Sequence, residues 1–413
     1  MTTSTRQSTA FLPYGRQSVT EDDIHAVEQV LRSDRWTQGD LGPRFERILA
    51  DVCGATEAVL VSSGTAALHL SMLALGVGPG DVIVTSANTF LASANCARYV
   101  GAEVLFADID PATGLMTPNT LARVLDRDTE RRVRAIVPVH FAGQSVEMAA
   151  IASLAREHGA RVVVDACHAL GATYQHAGQV YPVGCSAHAD LTVFSFHPVK
   201  HVAMGEGGAV TTDDRDLAGR LRLLRNHGLQ RDNPANLELA LDCNGQANPW
   251  YYEMTDLGYN YRATDIQAGL GCSQLGRLGE AIRRRNEIAR LYKSLLKQRL
   301  DAARVTPLRA PADGLHAYHL YVVKVDYESY GLTRADLMNS LSQRGIGTQV
   351  HYIPVPWQPY YRDRYGLGND MYPGASAYYE QALSLPMYPA LTNSDCHRVV
   401  DELAACLETG NDL

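Results

Sequence analysis

The chain contains 413 residues, of which 46% are hydrophobic and 20% are charged, and its formal net charge is −8. This composition is typical of a globular protein and excludes a fibrous or wholly disordered chain. A net negative charge argues against a dominant nucleic-acid surface, and the length leaves room for two domains.

The start of the chain, MTTSTRQST, lacks the apolar core of a signal peptide. The longest mostly apolar stretch, residues 66–77, is too short for a bilayer, which takes about 20 residues. Eight cysteines occur without C-x-x-C spacing, which is typical of a reducing compartment and indicates no zinc ribbon. We therefore expect a cytoplasmic protein without a metal site or membrane contact, and a flexible tail at residues 1–12.

Short apolar runs alternate with helical patterns over the first 275 residues. A helix is predicted at residues 19–31. Seven strands are predicted, at 58–61, 82–85, 104–106, 135–139, 161–164, 191–196 and 208–211, and helices between them at 66–75, 90–100 and 147–158. This alternation predicts a mostly parallel sheet with helices on both faces.

The pattern changes after about residue 275. A long charged helix is predicted at 277–300, followed by a strand at 318–325 and helices at 334–344 and 394–408. These elements indicate a smaller α+β domain. We therefore expect a large domain with an N-terminal arm at residues 13–275 and a small C-terminal domain at 276–413.

Only four of the 37 basic residues are lysines, and the other 33 are arginines. A lysine kept in such a chain can serve a task that needs a primary amine, such as a covalent bond to an aldehyde. Lys293 and Lys297 lie four residues apart in a helical pattern, which is typical of a solvated face. Lys324 interrupts a strand pattern, whereas Lys200 ends the unusual run FSFHPVK after the sixth strand.

Polar residues follow several predicted strands, at the carboxyl ends where open α/β sheets bind ligands. The first strand leads into SSGTA at residues 62–66 and a helix, which can bind an anion or be an ordinary helix cap. The fifth strand ends at Asp165, which is either a helix cap or the partner of a protonated ring nitrogen. A carboxylate leaving an apolar strand needs such a partner.

The same edge carries Phe90 after the second strand, and Ser195 and Lys200 after the sixth. Pyridoxal phosphate needs donors for its phosphate, a stacking face for its ring, a carboxylate for its pyridine nitrogen and an amine for its aldehyde. The strand-end features together predict this cofactor. Motifs for other cofactors are absent from the sequence. GVGPGD has the wrong glycine spacing for a dinucleotide-binding motif and precedes a strand instead of following one, and neither a P-loop nor an H-E-x-x-H metal motif occurs.

Several segments resemble the DegT family of nucleotide-sugar aminotransferases: SSGTAALHLSMLALGVGPGD, TFLASANCARYVGAEVLFADID, DACHALGA, FSFHPVKHVAMGEGGAV and GYNYRATDIQAGLGCSQL. The resemblance extends from about residue 13 to the final helix. It implies the α/β fold of aspartate aminotransferase, fold type I of the pyridoxal enzymes, with a mostly parallel seven-stranded sheet. It also implies transamination, because Lys200 stands where sugar-dehydrating members have histidine.

The matching positions imply roles for individual residues. Lys200 would bond to the cofactor, and Asp165 would pair with its pyridine nitrogen. Phe90 would stack on the ring and His168 would lie beside it, so that Lys200, Asp165 and His168 form the expected catalytic set. At the strand ends the phosphate would be held by Gly64, Thr65, Ala66 and Ser195. Asn260 would reach the phosphate from the other subunit, because the family's sites are shared across a homodimer.

Further segments, among them SDRWTQG, PWYYEM and IGTQVHYIPV, resemble the branch of the family that acts in pseudaminic-acid biosynthesis. That branch moves an amino group from glutamate or a similar donor to C4 of a UDP-linked 4-keto-6-deoxy-N-acetylhexosamine. The implied substrate-binding residues are Tyr14, Asp34, Arg35, Trp36, Thr37, Asn260, Gln349, Val350, His351 and Tyr352. Arg35 and His351 are the expected cations for the diphosphate.

Two alternatives stay open on the sequence. The first is an aminotransferase for another keto-sugar, linked to dTDP or GDP, or for an 8-keto octulosonate. The second is a cofactor-binding regulator without turnover, which the retained Lys200, Asp165 and Ser195 argue against.

Overall fold

The structure, a computed structural model, describes residues 10–311 and 313–409. Residues 1–9 of the predicted tail lie outside the described residues. Leu12, at the end of that tail, is buried and forms a bridge with Ile346. This part of the predicted tail therefore packs against the fold.

A seven-stranded sheet forms the centre of the molecule. Its strands are β1 (Glu57–Val61), β2 (Val82–Ser86), β3 (Glu103–Ala107), β4 (Val133–Val137), β5 (Arg161–Asp165), β6 (Leu191–Ser195) and β7 (Gly208–Thr212). The spatial order is β1-β7-β6-β5-β4-β2-β3, and only β7 runs antiparallel to its two neighbours. The predicted mostly parallel sheet is thus confirmed, and the carboxyl ends of the six parallel strands meet at one edge.

The strands are nearly continuous runs of buried Val, Leu, Ile and Ala, as expected for a sheet covered on both faces. The α-helices of the described residues are α1 (Glu21–Leu31), α2 (Leu41–Cys53), α3 (Gly64–Ala74), α4 (Ala92–Tyr99), α5 (Pro118–Leu125), α6 (Met148–His158), α7 (Arg215–Leu224), α8 (Leu237–Ala240), α9 (Asp265–Gly276), α10 (Leu278–Arg299), α11 (Arg334–Gln343), α12 (Pro359–Tyr365), α13 (Pro373–Gln381) and α14 (Asn393–Thr409). None of them is long and apolar enough to cross a membrane.

The C-terminal part contains a second, antiparallel sheet in the order β8 (Val305–Pro307), β9 (Tyr321–Val325) and β10 (Ala382–Leu385). Its apolar side chains form a separate hydrophobic cluster with α10, α11 and α14. Three short antiparallel pairs complete the strands: Ile109–Asp110 with Leu115–Met116, Thr173–His176 with Gln179–Pro182, and Leu229–Gln230 with Glu253–Met254.

The sequence prediction missed seven helices of the described residues and placed the start of one strand too early. The missed helices are α2, α5, α7, α8, α9, α12 and α13. Helix α2 was not predicted, although Phe45, Leu49 and Cys53 form its fully buried face at helical spacing. The strand expected from residue 318 begins only at Tyr321, because Tyr318 has a φ of 45°, which an extended strand cannot accommodate.

Candidate functional site

A cleft of about 620 Å³ lies at the carboxyl ends of β1, β2, β5 and β6. The parallel sheet brings together side chains that are far apart in sequence, as it does in other open α/β sheets. The predicted site residues that line this cleft are Tyr14, Gly64, Thr65, Phe90, Asp165, His168, Ser195, Lys200, Gln349, Val350, His351 and Tyr352.

One corner of the cleft is built for an anion. Helix α3 begins there at Gly64, with Ser63 as its N-cap, and Ser195 at the end of β6 lies opposite. The N–H groups of Gly64 and Thr65 belong to the first helical turn, where no intrahelical acceptor exists. Together with the helix dipole they favour a phosphate.

Two glycines allow this close approach of β1, β6 and β7. A Cβ on Gly64 would lie 3.0 Å from Cβ of Ser195, and a Cβ on Gly208 would lie 2.3 Å from the carbonyl of Ser63. Larger residues at either position would push the backbone donors away from the Ser195 hydroxyl. The glycines therefore shape the anion corner.

Ala66 is not brought to the cleft in this arrangement. Its N–H donates to Oγ of Ser63 at 3.1 Å, which is the N-cap bond of α3, and its side chain is buried. The predicted contact of Ala66 with a phosphate is therefore not supported, because its donor is already satisfied. Ser63 lines the cleft instead.

Asp165 is held at the end of β5 because each of its carboxylate oxygens accepts a hydrogen bond. Oγ of Ser93 donates to Oδ2, and the N–H of Cys167 donates to Oδ1 at 3.1 Å. The residue is buried, so these two bonds offset part of the cost of its charge. The orientation of the carboxylate is thus set before any ligand binds.

Lys200 lines the same cleft after β6. Burial lowers the pKa of its ammonium group, and the neighbouring Cys167 and Asp165 act in the opposite direction. A lowered pKa makes the neutral amine more accessible near pH 7, which is the form that reacts with an aldehyde.

His168 is neutral, and its hydrogen bonds assign its tautomer. Burial, followed by the nearby Lys200, His351 and His201, holds its pKa well below the usual range. The N–H of Ala142 donates to Nδ1 at 3.3 Å, so the ring proton resides on Nε2, which lies 3.2 Å from the hydroxyl of Tyr352. His168 therefore donates to Tyr352, whose own phenol proton is free to face the cleft.

The structure corrects the role expected for His351. Burial and the charge of Lys200 lower its pKa to about 3, so it carries no charge at neutral pH. Nδ1 lies 2.8 Å from Oγ of Ser384, and the ring lies against Tyr14. In these surroundings His351 offers a ligand a neutral hydrogen-bonding ring instead of a positive charge.

The predicted residues Asp34, Arg35, Trp36 and Thr37 do not line the Lys200 cleft. Their loop is bonded to the start of α9 instead. The carboxylate of Asp265 accepts hydrogen bonds from the N–H groups of Gly39 and Leu41, and the main-chain N–H of Asp265 donates to the carbonyl of Trp36. Asn260, five residues before Asp265, is exposed and also lies outside the lining of the cleft. Within one chain these two predicted groups are therefore separate from Lys200.

Sequence reasoning missed several residues of the cleft. Cys167 and His319 line it, and Ser93 supports Asp165 from α4. The His319 ring lies 4.2 Å from that of His168, centroid to centroid. Cys167 could have been predicted, because it stands next to His168 in DACHALGA. His319 and Ser93 could not, because tertiary packing alone brings them to the site.

The residues present fit pyridoxal phosphate. The cleft offers an anion corner at α3, a carboxylate at Asp165, an amine at Lys200 and the half-exposed ring of Phe90 at its mouth. No group of three or more His, Cys, Asp or Glu side chains in residues 10–311 and 313–409 could hold a metal ion. When bound, the cofactor supplies an aldehyde that takes up an amino group and a ring that accepts electrons.

Comparison with known proteins gives a consistent result. Residues 17–404 match the DegT/DnrJ/EryC1/StrS aminotransferase family. The spore coat polysaccharide biosynthesis protein SpsC of Bacillus subtilis is 39% identical over 392 residues, covering 95% of this chain and 96% of SpsC.

Two solved structures are similar over nearly their whole length. Helicobacter pylori PseC, an aminotransferase involved in the biosynthesis of pseudoaminic acid, is 28% identical with a TM-score of 0.85, covering 97% of this chain and 100% of PseC. Spr1654 of Streptococcus pneumoniae, solved in a PLP form, is 28% identical with a TM-score of 0.84, covering 97% and 99% of the two chains.

Proposed function

Because this chain belongs to the DegT/DnrJ/EryC1/StrS aminotransferase family, we propose that it aminates C4 of a UDP-linked 4-keto-6-deoxy-N-acetylhexosamine. The chain has the α/β fold of aspartate aminotransferase and is a pyridoxal-phosphate-dependent sugar aminotransferase. The acceptor sugar, the donor, the assembly and the cellular compartment are the proposed parts.

The convergence of Lys200, Asp165 and the anion corner in one cleft supports the transamination, and the similarity to PseC supports the acceptor. Asp165 would keep the cofactor ring nitrogen protonated. Lys200 would move a proton to and from the reacting carbon through Nζ, which its lowered pKa favours. The donor would be glutamate or a similar amino acid.

His168 and Tyr352 would orient the cofactor and the sugar. His168 is a fixed donor to Tyr352, so the phenol proton can be donated to an oxygen in the cleft. Tyr14, Gln349 and Val350 line the part of the cleft next to His351, where a sugar would bind.

The active unit would be a homodimer with shared sites, in the cytoplasm. Asp34, Arg35 and Asn260 lie outside the cleft of their own chain, and in the dimer they would contribute to the partner's cleft. Several large apolar side chains of one neighbouring segment are exposed, as expected for an interface: Leu237, Leu239, Trp250, Tyr252, Met254 and Leu257.

A second acceptor has support in the similarity to SpsC, since 39% identity exceeds the 28% to PseC. That relative is named for spore coat polysaccharide biosynthesis. The competing proposal for the same cleft is another keto-sugar, such as one linked to dTDP or GDP.

The test is a mass spectrum of the product after incubating the purified protein with pyridoxal phosphate, glutamate and the UDP-linked 4-keto sugar. A 4-amino sugar formed by the native protein but not by Lys200→Ala supports the proposal. Faster amination of a dTDP- or GDP-linked keto-sugar without the N-acetyl group would replace it with the second acceptor.

A further inference from the structure

A second cavity, of about 370 Å³, adjoins the cofactor cleft, and Lys200 lines both. We call it the arginine cavity, because five arginines line it together with two glutamates. The arginines are Arg16, Arg277, Arg283, Arg284 and Arg285. None of the functions described above uses this cavity.

Some of these arginines have carboxylate partners of their own. Arg283 and Arg284 each pair with Glu287. Arg277 pairs with the buried Asp23. The charge of Arg277 is therefore balanced by Asp23, whereas Arg283 and Arg284 share the single negative charge of Glu287.

Arg285 differs from them, because it is almost fully buried and has no carboxylate partner in the described residues. Its Nη1 donates to the carbonyls of Tyr318, His319 and Met387. Carbonyl oxygens orient a guanidinium group, but they do not cancel its charge. Burial accordingly lowers the pKa of Arg285 to about 10. An uncompensated buried cation is costly and calls for an anion.

Three polar atoms of residues lining the cavity are buried and have no hydrogen-bond partner. They are Nε of Arg285, Nε of Arg277 and Oγ1 of Thr20. Nearly all buried donors in native proteins are paired, so three unpaired donors around one cavity indicate a missing acceptor. A carboxylate is an acceptor-only group with several lone pairs and suits all three.

We propose that the arginine cavity binds one carboxylate of a small dicarboxylate, namely the amino donor or the oxo acid formed from it. The cavity is at the lower end of the size range of ligand pockets and is too small for a nucleotide sugar. Because Lys200 forms part of its wall, a donor anchored there lies one side chain from the cofactor cleft. This inference rests on the proposed dicarboxylic donor and adds the residues that select it.

The test is calorimetric titration of the holoenzyme with glutarate, which has both carboxylates but no amino group to react. Arg16→Gln removes a cation from an exposed position on the N-terminal arm, and Arg285→Lys keeps the charge but removes Nε. Each change should weaken glutarate binding about tenfold and raise the KM for glutamate equally. Arg290→Gln, on the exposed face of α10, is the matched control and should change neither.

Three results would overturn the inference. The first is that glutarate does not bind, and the second is that Arg16→Gln binds glutarate as tightly as the native protein. The third is that sulfate binds as tightly as glutarate and is weakened equally by Arg16→Gln. If Arg285→Lys does not fold, Arg16→Gln alone decides. Glutarate binding that depends on Arg16, without any transfer from glutamate, would keep the anion site and reject the proposed donor. Amino transfer from glutamate, together with glutarate binding that does not depend on Arg16, would keep the proposed donor and reject the anion site.

Discussion

Ser93 Oγ donates a hydrogen bond of 2.6 Å to Oδ2 of Asp165. Ser93 lies on α4 and is held in turn by Thr89, whose Oγ1 is 2.8 Å away. The carboxylate expected to pair with the cofactor ring is therefore positioned by a helix that follows a different strand. Ser93 acts on the ring only through Asp165, which makes it a positioning residue.

Replacing Ser93 with alanine should slow the reaction with glutamate about tenfold while the cofactor stays bound. The reason is that a hydrogen bond to a charged group contributes about 1.5–3 kcal/mol, part of which orients the carboxylate. Stopped-flow absorbance of the glutamate reaction measures the rate, and the spectrum of the bound cofactor reports the protonation of its ring.

Ser71→Ala is the control for Ser93→Ala, since it also removes a buried hydroxyl, which donates to the carbonyl of Ala67 in its own helix. Asp165→Asn should slow the reaction further and alter the cofactor spectrum in the same direction. An unchanged spectrum and rate in Ser93→Ala would mean that Cys167 alone fixes the carboxylate.

Lys200→Arg should abolish covalent attachment of the cofactor, because the guanidinium group keeps the positive charge but is not a primary amine. Borohydride reduction followed by peptide mass spectrometry should find the cofactor on Lys200 in the native protein and nowhere in the variant. Lys293→Arg, on the solvated side of α10, should still be labelled at Lys200. Label on Lys293, Lys297 or Lys324 would disprove the assignment.

The strands and the main site residues could be predicted from sequence for a physical reason. Buried runs such as residues 162–165 of β5 are typical of strands in a sheet that is covered on both faces, and the residues after parallel strands meet at one edge. Helix α2 was not predicted because Gly42 and Pro43 resemble a turn, although proline suits the first turn of a helix. The contact of Ser93 with Asp165 joins residues 72 positions apart and had no local signal.

Mixing two inactive variants tests whether the sites are shared. Lys200→Ala lacks the reacting amine, and Asn260→Ala lacks the expected contact with the partner's cofactor phosphate. If both groups serve one composite site, heterodimers hold one intact site and should recover up to about a quarter of the native activity at equal mixing. Native mass spectrometry should verify subunit exchange. No recovery in a mixture that has exchanged would contradict a shared site.

Arg35→Ala should raise the KM for the UDP-sugar by about ten- to a hundredfold, because an arginine–phosphate contact is charge-assisted. With His351 neutral, Arg35 is the remaining predicted cation for the diphosphate. The reaction with glutamate, which needs no sugar nucleotide, should be nearly unchanged. Arg32→Ala, which removes an exposed arginine paired with Glu28, serves as control. A parallel loss in both reactions would mean that Arg35 only braces its loop.

Three desolvated, neutral histidines also make the native state sensitive to acid, and one of them, His351, lines the Lys200 cleft. Burial lowers the pKa of His140, His316 and His351 to about 3 each, whereas an unfolded histidine titrates near 6.5. Between these values the unfolded chain binds more protons than the folded one. The free energy of unfolding should therefore fall as the pH drops below 6.5, by about 1.4 kcal/mol per pH unit for each such histidine.

Urea unfolding between pH 7.5 and pH 5 measures this slope. His316→Asn should reduce it by one histidine's share, while His25→Asn, at an exposed position, should leave it unchanged. An equal slope in His316→Asn would show that other groups govern the acid response. His351 is the one of the three that lines the cleft of Lys200. The dry surroundings that keep the amine reactive therefore also carry part of the acid sensitivity, and a variant that admits water beside His351 should gain acid tolerance at the expense of amine reactivity.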